Sequence, residues 1–167
     1  MNKYIENQAV VNEEEQELTP EDYLADEEDI LASLLDAAND KNQETAIIEV
    51  ARKGRVYFRF RIRGLTEEEY ETCLKKASEY TMNKRTRVRV REDINVSKFH
   101  SLLIYTATID EDRKKIWDNK EAWKQMNVLS AHQLIDKVLL VGEKEKIVEK
   151  IEEISGYGVD LEEELKN

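Results

Sequence analysis

Arginine is the residue type whose spacing in this sequence could most clearly do chemistry. It recurs on alternate positions of two segments, which would place the side chains on one face of an extended strand. The seven residues are Arg59, Arg61, Arg63, Arg85, Arg87, Arg89 and Arg91. Guanidinium groups at this spacing could contact the phosphates of a nucleic acid, and Tyr57 could stack on a base. Two alternatives stay open: a solvent face that discourages edge-to-edge strand pairing, or a docking site for the acidic N-terminal segment.

The other reactive side chains do not form a pattern typical of metal binding or catalysis. His100 and His132 are far apart, and Cys73 falls on the apolar stripe of a predicted helix. Metal sites need clustered ligands, and nucleophilic sites need a base beside the nucleophile. The sequence also contains no P-loop, Gly-x-Ser-x-Gly or Gly-x-Gly-x-x-Gly motif. We therefore expect no catalytic residue, no metal, no cofactor and no enzymatic activity.

Charge is distributed unevenly along the chain. The net charge is −11, made of −13 in residues 1–50, +7 in residues 51–100 and −5 in residues 101–167. This acidic balance argues against a dedicated nucleic-acid binder. The sequence has no run of 18 apolar residues and one cysteine, so we expect no membrane span and a reducing, cytoplasmic location.

The first 42 residues divide into an arm and a helical segment. Residues 1–18 are too charged and too poor in apolar residues to offset their ordering entropy, which predicts a flexible acidic arm. Residues 19–42 predict short acidic amphipathic helices that begin at Pro20. Their narrow apolar stripe consists of Ile30, Leu31, Leu34 and Leu35. Such a helix is marginal alone and needs a surface to dock on.

The hydrophobic period then changes from 3.6 to 2, which predicts β-structure. Residues 45–63 read as an antiparallel hairpin that turns at Lys53 and Gly54. Residues 85–91 are predicted as a third strand of the same small sheet, with a basic loop as the alternative.

One helix is predicted between the hairpin and residues 85–91, and from Asn95 onwards the sequence reads as helical. Two capping boxes mark helix starts, one at Thr66 and Glu69 and the other at Ser130 and Gln133. Near the C-terminus, Gly142 is expected to break one helix into two. The predicted fold is α+β, mainly α: a small antiparallel sheet beside a C-terminal helical bundle, in a single domain of residues 43–165.

Five segments together resemble a known family. They are residues 30–35 (ILASLL), 65–70 (LTEEEY), 98–103 (KFHSLL), 134–143 (LIDKVLLVGE) and 154–158 (ISGYG). In this order they are similar to the XkdN-like tail assembly chaperones of phages and defective prophages with contractile tails. The resemblance covers residues 28–165.

The resemblance implies a non-enzymatic protein of the bacterial host cytoplasm that is absent from the mature particle. Its implied partners are the tape measure protein, which it would keep soluble during tail morphogenesis, and the tail-tube subunits. Homo-oligomerisation stays open. The alternative function is a nucleic-acid-binding or phage regulatory protein that acts through the arginine-rich strands.

Apolar helix surfaces are the predicted partner-binding residues. A long apolar helix is an aggregation hazard, and a protein that binds amphipathic helices shields it. The residues predicted to do so are Ile30, Leu31, Leu34, Leu35, Leu139 and Leu140.

Overall fold

The computed structural model describes residues 27–40 and 44–157, so the predicted arm of residues 1–18 lies outside them. The described part contains seven helices and four strands. In chain order these are α1 (Glu27–Asp40), β1 (Thr45–Arg52), β2 (Arg55–Arg63), α2 (Glu67–Ala77), β3 (Ser78–Met82), β4 (Arg89–Ile94), α3 (Val96–Ala107), α4 (Asp110–Ile116), α5 (Lys120–Met126), α6 (Ala131–Val138) and α7 (Val141–Ile154). The α+β, mainly α class is confirmed. The chain divides into two compact units, Met1–Ala38 and Asn39–Asn167.

Strands β1 and β2 form the predicted antiparallel hairpin. Lys53 and Gly54 both have positive φ, 51° and 76°, which matches the right-handed strand twist that tight hairpins require. Because successive side chains of a strand point to opposite faces of the sheet, Val50, Phe60 and Ile62 lie together on the buried face. The arginines of β2 occupy the opposite face.

The prediction of a third strand at residues 85–91 is wrong about the extent of the strand and about the strand with which it pairs. Strand β4 begins at Arg89 and pairs with β3 in a separate two-stranded sheet. The side chain of Asn83 accepts hydrogen bonds from the backbone N–H groups of Arg85 (2.9 Å) and Thr86 (3.3 Å). Arg87 has a φ of 54°. Asparagine in this role favours a turn over a strand, so the first half of the segment connects β3 to β4.

Helix α2 ends before Tyr80, although the apolar spacing of the sequence would extend its buried face to that residue. The hydroxyl of Ser78 donates to the carbonyl oxygen of Leu74 at 2.6 Å, and Ser78 itself is extended. Tyr80 and Thr81 favour β-structure and lie in β3.

Helix α3 is the centre of the bundle and packs against α2, α6 and α7. Its Leu103, Ile104 and Ala107 are fully buried, as expected for a helix that is apolar on most of its surface. The hydrophobic core therefore lies between the bundle and the inner face of the β1–β2 hairpin.

The indole of Trp117, fully buried, joins the hairpin to the helices. Its ring meets Phe58 and Phe60 edge-to-face, at centroid distances of 5.8 and 5.4 Å. The indole N–H donates to the hydroxyl of Thr108 at 3.0 Å. Thr108 in turn forms an isolated β-bridge with Ile62 of β2.

The break between α6 and α7 falls two to three residues before Gly142, the residue at which the sequence predicted it. Leu139 and Leu140 are extended, and Gly142 lies in the first turn of α7. The carboxylate of Glu143 accepts the backbone N–H of Leu140 at 2.8 Å. This cap starts a new helix and explains the position of the break.

The two predicted capping boxes have different outcomes. At Thr66 and Glu69 the box is confirmed, with reciprocal hydrogen bonds of 3.0 and 3.2 Å. At the second position Ser130 makes no side-chain cap bond. Gln133 instead accepts the backbone N–H of Leu129, the residue before the cap, at 2.8 Å, so the predicted box is not formed.

Gly64 lets the end of β2 pass close to the end of α7. A Cβ atom at this residue would lie 2.7 Å from the carbonyl oxygen of Ile154. The next residue, Leu65, donates its backbone N–H to the hydroxyl of Ser155 at 2.9 Å. A side chain at residue 64 would push these two backbones apart.

We expect Gly64→Ala to lower the free energy of unfolding by about 1–3 kcal/mol, the usual cost of overpacking. Gly142→Ala is the matched control, because a Cβ there meets nothing within 4 Å. It should raise stability by about 0.5–1 kcal/mol through helix propensity. Urea denaturation measures both, and equal effects of the two substitutions would contradict the close approach.

Candidate functional site

Three of the four arginines in β2 are each paired with a carboxylate of the same domain. Arg59 contacts Glu49 at 2.7 Å across the hairpin. Arg63 forms a two-pronged contact with Glu69, at 2.7 and 2.9 Å. These residues therefore already have anionic partners.

Arg61 is the most heavily engaged of the three. Its guanidinium contacts Asp112 at 2.8 and 3.0 Å and Glu111 at 3.0 Å. Its backbone N–H also donates to Asp112 at 2.8 Å. Hydrogen bonds from Arg61 lower the pKa of Asp112, and the carboxylates raise the pKa of Arg61. Arg61 thus ties β2 to α4.

The other four arginines of the predicted anionic-partner patch lie in the β3–β4 hairpin. Arg85 and Arg87 are in its connecting turn, and Arg89 and Arg91 are in β4. None of the four makes a salt bridge with any residue in 27–40 or 44–157. The guanidinium of Arg89 lies 5.7 Å from the ring centre of Tyr80. The structure therefore divides the seven arginines into a paired set and an unpaired set.

The predicted partner-binding residues are also divided. On α1, Ile30, Leu31, Leu34 and Leu35 are 42–61% exposed. Leu140 is 58% exposed and lies beside the exposed Val141. Leu139 is buried in the core, so it stabilises the fold and is not available to a partner.

Lys144, only 5% exposed, is the centre of a polar cluster that the sequence analysis missed. Its ammonium donates to the backbone oxygen and the hydroxyl of Ser97, both at 2.9 Å, and to Asp136 at 2.6 Å. Ser101 donates to the same Asp136 oxygen at 2.6 Å. The cluster joins α3, α6 and α7.

A serine beside a lysine could suggest a nucleophile with its base, but the hydrogen bonds of Lys144 favour a structural role. A lysine ammonium has three donors, and all three are used here. No lone pair is left to accept a proton from Ser97. The sequence did contain a signal for this burial, because Lys144 shares a helical face with Ile147 and Ile151.

Arg52 and Glu143 form a second contact that the sequence analysis missed. The guanidinium of Arg52 contacts both carboxylate oxygens of Glu143 at 2.7 Å and the carbonyl oxygen of Val138 at 2.7 Å. Hydrogen bonding to Arg52 lowers the pKa of Glu143. One carboxylate therefore caps α7 and ties it to β1.

The pKa values of the cysteine and of both histidines are shifted mainly by burial. Burial raises the pKa of the Cys73 thiol and lowers the pKa of His100 and of His132. Among the described residues there is no group of three or more metal-ligating side chains. No helix in the described ranges is long and apolar enough to cross a membrane.

The comparison with protein families assigns the chain. Residues 31–167 match the family described as Phage XkdN-like tail assembly chaperone protein, TAC. The chain belongs to this family. The matched range starts within α1 and includes both hairpins and all the helices that follow, which confirms the resemblance carried by the five sequence segments.

Comparisons with individual proteins add little to this assignment as a tail assembly chaperone. One similar solved structure is the crystal structure of the protein yqbn, a target of the Northeast Structural Genomics Consortium. It is 16% identical, the alignment covers 68% of this chain and 87% of that one, and the TM-score is 0.42. A likeness at this level carries no argument. A search of curated proteins found no match.

We expect Glu143→Gln to reduce the acid sensitivity of this chaperone. The pKa of Glu143 is lowered in the folded state, so its contribution to stability is present above the unfolded value of about 4.3. That contribution is lost as the pH falls through the lowered folded value. The melting temperatures of wild type and variant should therefore differ at neutral pH and converge in acid.

Glu145→Gln is the control, since Glu145 is exposed on the same helix and makes no salt bridge with any described residue. Melting temperatures measured from neutral to acidic pH would contradict the role of Glu143 if both variants followed the wild-type curve.

Proposed function

We propose that this tail assembly chaperone binds the phage tape measure protein and keeps it soluble during tail morphogenesis, without catalysing a reaction. Membership of the family supports a role in tail assembly. The finer assignment depends on which surfaces are free to bind a partner.

The exposed apolar stripe of α1 is the observation that carries the proposal. Four large apolar side chains on one helical face, at positions 30, 31, 34 and 35, are exposed in this acidic helix. Such a face binds another amphipathic helix by packing apolar side chains against it. Leu140 and Val141 supply a second exposed apolar site, on the domain of residues 39–167.

Charge on α1 suits the task of keeping a client dispersed. The helix carries five carboxylates and no basic residue, and the whole chain has a net charge of −11. When the stripe covers an apolar client helix, the exposed Asp36 and Asp40 on the opposite side of α1 remain in solvent. Excess charge of one sign then opposes association between complexes.

The groups that could suggest other functions are engaged in the fold, which supports a binding role. Lys144 uses all three of its donors on Ser97 and Asp136. Ion pairs with Glu49, Asp112 and Glu69 occupy the three patch arginines of β2, so of the predicted patch the nucleic-acid alternative retains only the unpaired arginines of the β3–β4 hairpin.

The proposed partners are the tape measure protein and the tail-tube subunits that polymerise around it. Because a chaperone acts before the tail is complete, we place this protein in the host cytoplasm and outside the finished particle.

Co-expression with the tape measure protein of the same genome tests the client. We expect more soluble tape measure protein and a complex on gel filtration. Leu31→Ser/Leu34→Ser should weaken the complex by at least about tenfold, because it removes two apolar contacts from the stripe. Leu129→Ser is the control, since it changes a leucine outside α1 that is even more exposed than Leu31 and Leu34. Two folded proteins that elute separately would contradict the proposal.

Mass spectrometry of purified phage particles tests the assembly role. We expect peptides of the tape measure and tail-tube proteins and none from this chain. Its presence at a fixed ratio to tail-tube subunits would instead identify a structural component of the virion.

A further inference from the structure

We infer that the β3–β4 hairpin binds helix α1 of a second copy, so that two chains form a reciprocal dimer. The hairpin pairs only within itself, as a separate two-stranded sheet. Its four arginines lack salt bridges to any described residue, in contrast to Arg59, Arg61 and Arg63 of β2. This inference stands whether or not the tape measure protein is the client.

Charge complementarity identifies a second copy as the occupant. Residues 83–91, the end of the hairpin, carry five basic side chains and no acidic one. Helix α1 carries five acidic side chains and no basic one. Opposite potentials of this kind steer association and set the orientation of the partners. The chain therefore contains both halves of a complementary pair.

Apolar side chains provide the attraction that charge alone lacks. The hairpin exposes Tyr80 and Met82, which lie on the face that carries Arg89 and Arg91, by 41% and 62%. The stripe of α1 exposes four large aliphatic side chains to a similar degree. Covering both sets removes apolar surface from water, and arginine, methionine and tyrosine are enriched in protein interfaces.

The strand register places Tyr80 and Met82 on one face with arginines, whereas Val90, paired with Thr81, lies on the other. Tyr80 is opposite Arg91 and Met82 is opposite Arg89, so apolar and cationic groups alternate there. The cation–π contact between Arg89 and Tyr80 holds the guanidinium beside the apolar surface. Helix α1 also combines apolar and charged residues, since Glu27 and Glu28 precede Ile30 and Leu31 of the stripe by one helical turn.

A nucleic acid explains these observations less well than a protein. Phosphates would pair with the arginines, but they would leave the aliphatic side chain of Met82, on the same face, without a partner. Residues 1–50, at −13, would also repel a polyanion. The same acidic charge attracts the hairpin of another copy.

Sedimentation velocity of the full-length protein over a concentration series tests the dimer. We expect the mass to rise from 19.6 kDa to about twice that value, and salt to weaken the association. An α1 variant, Leu31→Ser/Leu34→Ser, and a hairpin variant, Arg89→Glu/Arg91→Glu, should each stay monomeric. An equimolar mixture of the two should associate, because one intact helix then meets one intact hairpin.

Lys114→Glu/Lys124→Glu is the matched control, with the same charge change at exposed lysines of α4 and α5, and it should dimerise like the wild type. A wild type that stays monomeric at every concentration overturns the inference, including the case in which α1 covers the hairpin of its own chain. Salt-dependent binding of a single-stranded DNA oligonucleotide by a monomeric wild type, lost in the hairpin variant, assigns the hairpin to nucleic acid instead. The hairpin variant retains α1, which carries the proposed client-binding stripe. Its binding to the tape measure protein therefore tests the proposed function independently of the dimer.

Discussion

The packing of Trp117 between the β1–β2 hairpin and the helices is the interaction on which the rest of the domain depends. A two-stranded hairpin is barely stable alone, and its apolar face here is covered by the indole and the central helix α3. The Thr108 hydroxyl satisfies the indole N–H, so a large ring is buried without an unpaired polar group. Once this contact forms, Gly64 brings the end of β2 against the end of α7, and the core closes around α3.

Polar contacts then specify how the helices are arranged. The Lys144 cluster joins α3, α6 and α7, while Arg52 and Glu143 tie α7 to β1. Buried ion pairs contribute little net stability because their desolvation is costly, yet breaking one is strongly destabilising. A misaligned α7 would leave the Lys144 ammonium buried without its acceptors. The cluster therefore disfavours alternative packings of α7. The apolar stripe of α7 alone would be compatible with several packing arrangements.

Much of this architecture could be predicted from the sequence, because strong local signals coincide with the final structure. Alternation and a Lys-Gly turn located the first hairpin, and the Thr66 capping box located the start of α2. The errors arose where local signals compete. Arginine on alternate residues predicted a strand at 85–91, whereas the side chain of Asn83 favours a turn over half of that segment. Gly142 suggested a helix break that the Glu143 cap places at Leu139 and Leu140.

For the candidate site, the sequence located the exposed stripe of α1 but could not separate paired from unpaired arginines. The partners of Arg61 lie about fifty residues away along the chain, on α4, and only the tertiary fold brings them together. The isolation of the β3–β4 sheet has a further consequence. Since neither of its faces contributes to the core, its length is not constrained by packing. Pairs of residues could be gained or lost at its turn without disturbing the packed core around α3.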